Sequence, residues 1–299
     1  DLTALLYAQG YTGGEIVRAS ASENPDLFWA CRGGGGGNFG INTSFRVETV
    51  PAAPRVVFAV RWANPTARLL AAVIAALDAA PRELGSRLSL DRHADEAAAT
   101  LNLIGQFAGT PGALDDILAP ALSAAKPLEM AVTEFDYWTA QKALLDGDGP
   151  SPFQERSRFA TGARRADFAD AALGWIARWP GAGDGAHLVM FQTGGRINDT
   201  GPAETAFVHR DSRWLACLAV TWSEDDRVEA MGRALAWQSQ AYAGLREFAA
   251  GGAYQNFTDP DLDDWAEAYY GANLPRLRAI KRAVDPDGVF RFAQSIPPA

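Results

Sequence analysis

Five consecutive glycines occupy residues 33–37, and Asn38, Phe39, Gly40 and Ile41 follow directly. Without a Cβ such positions reach positive φ, so the backbone there can approach a flat or charged ligand closely. Gly35, Gly37 and Gly40 formally match the dinucleotide spacing G-x-G-x-x-G. That fingerprint needs a strand before the glycines and a helix after them, which places a pyrophosphate on a helix N-terminus. Here the order is reversed: an aromatic helix leads in and residues 41–47 alternate as a strand. A phosphate would face the negative end of the helix dipole, so an anion held here must use a nest of backbone N–H groups. A flexible linker is the other reading of the run, but linkers usually mix glycine with serine between polar flanks.

Other chemistry is sparse. His93, His187 and His209 are scattered, and Cys31 and Cys217 are distant from one another, so no metal is expected. No Gly-x-Ser-x-Gly elbow marks a hydrolase. Two cysteines in apolar contexts make no disulfide framework and suit a reducing compartment, so a cytoplasmic location is expected. With 36 acidic against 27 basic residues the net charge is −9, which disfavours nucleic acid as a partner and favours a neutral or small substrate. No apolar run approaches the ~20 residues of a membrane span, and no basic leader precedes an apolar segment. The missing initiator methionine suggests a processed or truncated product.

The elements that must position these residues follow from local signals. Asn24 and Pro25 start a short helix carrying Leu27, Phe28 and Trp29, and the glycines end it. Residues 5–8 and 15–17 are strand candidates around a turn at 10–14. Two prolines at 51 and 54 mark a boundary. Beyond it, 56–62, 87–91, 99–107, 128–135, 187–193 and 213–222 read as strands. Helices are expected at 64–77 (capped by Asn64), 111–122, 137–145, 166–179 and from 223 onward. Ser223 is expected to cap the last of these, with Val228, Met231, Leu235 and Tyr242 inward. Turn formers at 146–150 suggest a surface loop. Hairpins rather than regular βαβ units predict α+β architecture, an antiparallel sheet with helices on one face.

Two stretches resemble one family. Asp26-Leu27-Phe28-Trp29-Ala30, then Arg32, the glycine run, and Asn38-Phe39-Gly40-Ile41 with Thr43-Ser44 resemble the flavin-domain motif of berberine-bridge-enzyme-like FAD-linked oxidases, of the vanillyl-alcohol-oxidase type. Tyr254, Asn256, Phe257, Asp259, Trp265, Tyr269-Tyr270-Gly271, Asn273, Arg276, Lys281, Asp285-Pro286 and Gln294 resemble the C-terminal segment of the same family.

The resemblance implies FAD as cofactor, a small-molecule substrate (an alcohol, sugar or secondary metabolite), and O2 as electron acceptor. It implies that 1–50 is the C-terminal part of a VAO/PCMH-type FAD-binding domain, 51–250 a substrate domain, and 251–299 a segment packing back on the FAD domain. The N-terminal part of the FAD domain, with the histidine and cysteine that many relatives bond to the flavin, is not visible, and Cys31 does not match that cysteine by position. Gly34, Gly35, Gly36, Gly37, Asn38, Phe39, Gly40, Ile41, Tyr254 and Asn256 are the implied cofactor contacts.

Gln192, Tyr137 and His209 are substrate-side candidates, although Gln192 could equally face solvent and His209 could be a structural hydrogen-bonder. Phe257 stands where several plant relatives place a tyrosine base, so that role does not carry over. Tyr254, Tyr137 or an upstream residue is left as the proton acceptor, with Tyr254 the catalytic candidate. The alternative to an oxidase is a non-catalytic, degenerate substrate-binding module without FAD.

Overall fold

A computed structural model describes residues 5–9, 16–145, 152–161, 165–249 and 251–299. The chain divides into two compact units: 1–51, 196–211 and 251–299 form the first, 52–195 and 212–250 the second. The turn expected at 10–14 and the loop expected at 146–150 lie outside the described residues.

In the first unit β1 (Leu5–Gln9) pairs antiparallel with β2 (Ile16–Ala19) and with β3 (Ile41–Arg46), giving the order β2-β1-β3. Between them α1 (Pro25–Cys31) starts on Pro25, whose missing N–H costs nothing in a first turn. Asn24 does not cap it through its side chain; it is left-handed, with φ 48°, and its Nδ2 donates to Arg18 O at 2.7 Å.

The second unit is built on a seven-stranded antiparallel sheet. Its elements are β4 (Arg55–Ala63), α2 (Ala67–Ala79), β5 (Leu84–His93), β6 (Thr100–Phe107), α3 (Pro111–Ala124), β7 (Glu129–Phe135), α4 (Tyr137–Ala143), β8 (Phe153–Ala160), α5 (Arg165–Ala177), β9 (Gly185–Gln192), β10 (Trp214–Thr221) and α6 (Val228–Phe248). The strand order is β7-β4-β6-β5-β9-β10-β8, so five strands lie between the edges β7 and β8.

Side chains alternate across a sheet. Phe58, Val60, Leu88, Leu101, Leu188 and Leu218 point to one face and share a core with Leu69 and Val73 of α2, Leu114 of α3, Ile176 of α5 and Leu245 of α6. The expected sheet with helices on one face is what the second unit contains.

Three local expectations fail for physical reasons. Asn64 does not cap α2; Thr66 does, its Oγ1 accepting from Leu69 N at 3.2 Å, while Asn64 takes φ 50° in the turn before it. Ser223 does not cap α6, because Asp226 Oδ2 accepts from Ser223 N at 2.8 Å in a separate turn and the helix begins at Val228. Val228 is therefore exposed, and Ala234, Trp237, Gln238, Ala241, Tyr242 and Leu245 form the inner face.

Strand β8 was not anticipated. Its Glu155, Arg156 and Arg158 break the apolar alternation, yet both arginines are buried because their guanidinium groups lie over the Tyr242 ring, at 4.1 Å and 5.5 Å from its centroid.

The chain re-enters the first unit twice. Residues 205–210 belong to this unit, where Asn273 Nδ2 donates to Pro202 O at 2.7 Å and Thr205 O at 3.2 Å. The Trp29 indole N–H donates to Ala203 O at 2.8 Å. The final stretch carries α7 (Trp265–Tyr270) and α8 (Leu274–Val284). Leu27, Phe28 and Trp29 of α1 pack with Tyr269, Tyr270, Leu277 and Ile280 into the core of this unit.

Candidate functional site

In the first unit, helix α1 delivers the glycine run into a loop held from behind. Gly33 (φ +122°), Gly35 (φ +79°) and Gly37 (φ +71°) occupy backbone conformations that favour glycine. At Gly33 a Cβ would lie 2.1 Å from Phe207 N, so the loop and residues 205–210 press together where only hydrogen fits.

Asn38 is buried and fully used: Nδ2 donates to Gly34 O at 2.9 Å, and Oδ1 accepts from Ile296 N at 2.8 Å. Gln255 Nε2 donates to Gly33 O at 2.7 Å and the Tyr270 hydroxyl to Gly34 O at 3.1 Å. Burial pushes the Tyr270 phenol up, beyond what the hydrogen bond it accepts from Asn38 offsets.

The buried Lys281 ammonium places all three protons, on Asn38 O at 2.6 Å, Phe290 O at 2.6 Å and Asp285 Oδ2 at 2.7 Å. Burial alone would raise the Asp285 carboxyl. Bonds from Lys281 and from the N–H groups of Val289 and Phe290 more than offset that and hold it below the usual range.

A cavity of about 360 Å³ opens on this loop, lined by Gly35, Gly36, Gly37, Asn38, Gln255, Asn256, Thr258, Tyr269, Tyr270, Phe292 and Gln294. The structure thus brings two predicted segments together around one space. Not every predicted contact lies on it. Gly34 lies beneath, Phe39 is in the core, and Gly40, Ile41 and Tyr254 are not on its wall. The Tyr254 hydroxyl accepts from Asn256 Nδ2 at 2.9 Å, and its ring meets Phe257 edge-on at 5.1 Å.

Two substrate-side candidates are committed elsewhere. Gln192 pairs in register with Trp214 on the helix-covered face of the sheet; its Oε1 accepts from Ser86 Oγ at 2.9 Å and its Nε2 donates to Leu77 O at 2.8 Å. That side chain fastens α2 to the sheet. His209 is buried, with Nε2 at 3.2 Å from Tyr269 O. Burial lowers its pKa to about 4, outweighing the opposing pull of backbone bonds at Tyr269 and Ala253 and of Asp211, so it is a neutral structural ring. Tyr137 begins α4, half-buried, with the Arg55 guanidinium 5.8 Å from its ring centroid.

The second unit carries a polar arrangement that sequence reasoning missed. On the sheet face opposite the helices, Glu155, Ala219, His187, Asp91 and Thr100 stand in one register row across β8, β10, β9, β5 and β6. The adjacent row is Ser157, Cys217, Val189, Ser89 and Asn102.

Asp91 accepts from Ser89 Oγ at 2.5 Å and Asn102 Nδ2 at 2.7 Å, and pairs with His187 Nδ1 at 2.9 Å. Burial opposes its ionisation, but these bonds win and hold the carboxyl below the usual range. Burial raises the Glu155 carboxyl against a hydrogen bond from Cys217 and the nearby His187. The Cys217 thiol is pushed up by burial and by Glu155. A carboxyl whose proton affinity burial raises, on the same sheet face as an imidazole held by a carboxylate, is a group that can exchange protons with a ligand.

The signals were present but faint: Ser89 and Asp91 alternate with Leu88 and Leu90, and Lys281 sits on an otherwise apolar helix face. Strand β10 alone offers no ionisable group except a thiol, whereas the unanticipated neighbour β8 supplies Glu155. Among the described residues no cluster of metal-ligating side chains occurs and no helix is long and apolar enough to cross a membrane.

Residues 253–297 match the family described as berberine and berberine-like. An uncharacterised FAD-linked oxidoreductase of Bacillus subtilis, YvdP, is 31% identical over 295 residues, covering 96% of this chain and 64% of the relative. The xylooligosaccharide oxidase of Thermothelomyces thermophilus is 28% identical, covering 96% and 61%. Among solved structures, glucooligosaccharide oxidase from Acremonium strictum, described with a 6-S-cysteinyl, 8α-N1-histidyl FAD, superposes with a TM-score of 0.82 at 26% identity. The superposition covers 100% of this chain and 66% of that one. The chain spans less than two thirds of the length of the curated relatives it matches.

Proposed function

We propose a function from one premise: the chain belongs to the berberine-bridge-enzyme-like, FAD-linked oxidoreductases. It provides the substrate domain and part of the flavin cradle of an enzyme that oxidises an alcohol, sugar or secondary metabolite and passes the electrons to O2. The observation that carries this reading is the cavity on which residues 35–38 and 255–256 converge, within the unit that includes the matched segment. The residues present fit such a group. Positive-φ glycines leave room at the wall, and the buried Gln255 Oε1 has no partner.

When bound, a flavin accepts a hydride from the substrate carbon, and the protein supplies orientation and electrostatics. In this reading Gly35, Gly36, Gly37, Asn38, Gln255 and Asn256 hold it. Tyr254 is the candidate proton acceptor in the first unit, its hydroxyl oriented by Asn256 Nδ2. In the second unit burial raises the Glu155 carboxyl, which makes it a separate proton-exchanging candidate on its own sheet face. Carbohydrate oxidases among the relatives support an oxidisable hydroxyl as the substrate group.

The test is direct. Purified chain should carry, or take up on addition of FAD, the yellow absorbance of bound oxidised flavin, with FAD fluorescence quenched. A colourless protein that leaves added FAD free in equilibrium dialysis overturns the proposal for this chain and favours the non-catalytic module.

A further inference from the structure

The carbonyl oxygens of the glycine loop are turned into the protein. Gly33 O is taken by Gln255, Gly34 O by Tyr270 and Asn38, Gly36 O by Asn38 at 3.4 Å, and Asn38 O by Lys281. The N–H groups of Gly35, Gly36 and Gly37 have no protein partner among the described residues, and these three residues line the cavity. Positive φ at Gly35 and Gly37, flanking Gly36, is backbone geometry in which successive N–H groups converge.

Gln255 stands at the same wall, more than nine-tenths buried, with Oε1 unpartnered. Because Nε2 is fixed on Gly33 O, the orientation of this amide is set. The wall therefore offers N–H donors beside one C=O acceptor. A phosphate would satisfy the donors and leave Gln255 orphaned. An imide edge, an N–H between two carbonyls, satisfies both.

We propose that this wall takes the imide edge of a planar ring, a ring carbonyl on the amides of residues 35–37 and the imide N–H on Gln255 Oε1. Lys281 is the positioning residue that keeps the loop carbonyls turned away. The flavin pyrimidine ring has such an edge, so the inference rests on the function proposed above and adds which edge is read and by which residues. A uracil-type nucleoside presents the same edge.

The test uses the full chain labelled with 15N-glycine, titrated with lumiflavin, 3-methyllumiflavin, uridine and ADP. Lumiflavin should shift the amides of Gly35, Gly36 and Gly37. Methylation at N3 should weaken binding roughly tenfold, the scale of one hydrogen bond, and Gln255→Met should erase that difference. Lys281→Met should weaken lumiflavin at least as much, and Gln255→Met decides the matter if that variant does not fold.

A larger amide response to ADP than to lumiflavin overturns the proposal in favour of a phosphate nest. A response to uridine with none to lumiflavin overturns the flavin assignment. If FAD binds while these amides stay unmoved, the inference fails and the proposed function stands; if FAD does not bind, the proposed function fails and the lumiflavin arm decides the inference alone.

Discussion

The two units hold polar groups by opposite means. In the first, the candidate site is made of backbone: glycine amides and carbonyls fixed by buried side chains from more than 200 residues away, Gln255, Tyr270 and Lys281 among them. In the second it is made of side chains, one from each of several strands, and Asp91, His187 and Glu155 share one row only because the register of four strands aligns them. A backbone site depends on a few anchoring side chains and tolerates little change there. A side-chain site spreads over a rigid sheet and should tolerate single losses in stability while changing its protonation chemistry.

The largest effect should come from breaking the anchor of the first unit. Lys281→Met leaves Asp285 buried without its cation and releases Asn38 O, and removal of one partner of a buried pair costs about 3–5 kcal/mol. A urea midpoint within error of the wild type would show that the loop does not depend on this pair.

His209 sharpens the same contrast through pH. Its folded pKa of about 4 lies below the unfolded value near 6.5, so the unfolded chain binds more protons between those values. Stability should therefore fall as pH drops through that window, by ~3 kcal/mol when complete. The depressed carboxyls of Asp91 and Asp285 add losses only at lower pH, as each is protonated. His209→Gln should flatten the slope between pH 6.5 and 4. An NMR titration placing the wild-type ring near 6.5 would sink the account.

Within the glycine run the comparison can be made residue by residue. Gly33→Ala combines φ +122° with a 2.1 Å approach to Phe207 N and should cost about 2–3 kcal/mol. At Gly36 an added Cβ meets nothing, so Gly36→Ala should stay within about 0.5 kcal/mol. Thermal unfolding of the pair tests this, and equal losses would mean that the run acts as a featureless hinge.

The same contrast explains what was legible in the sequence. Glycines 33–37 announced themselves because a backbone site needs consecutive residues of special type; Tyr254 and Asn256 were implied by the family resemblance alone, and Gln255 between them was not singled out. The helices at 64–77 and 111–122 were readable from local signals, as was the alternation of most strands. What escaped was set by partners distant in sequence: β8, whose arginines are buried only because Tyr242 receives them, and Asp91, whose role needs His187 at 96 residues' remove. Gln192 was misplaced for a related reason, whereas His209 takes the structural role left open for it. Residue type suggested function, but register and burial decide whether a polar group faces a ligand or secures a helix.

The smallest expected effect distinguishes the second unit most sharply. Burial raises the Glu155 carboxyl, so its folded pKa lies above the unfolded one; stability from this group is present at low pH and lost as pH rises through the folded value. Glu155→Gln keeps the shape and removes the titration, so its stability relative to wild type should increase slightly from pH 4.5 to pH 8. The Cys217 thiol, which Glu155 holds up, should ionise at lower pH in the variant, readable as earlier thiolate absorbance in an alkaline titration. Loss of stability comparable to that of Lys281→Met would mean that Glu155 is an anchor like the lysine, and the distinction between a backbone-held and a side-chain-built site would collapse.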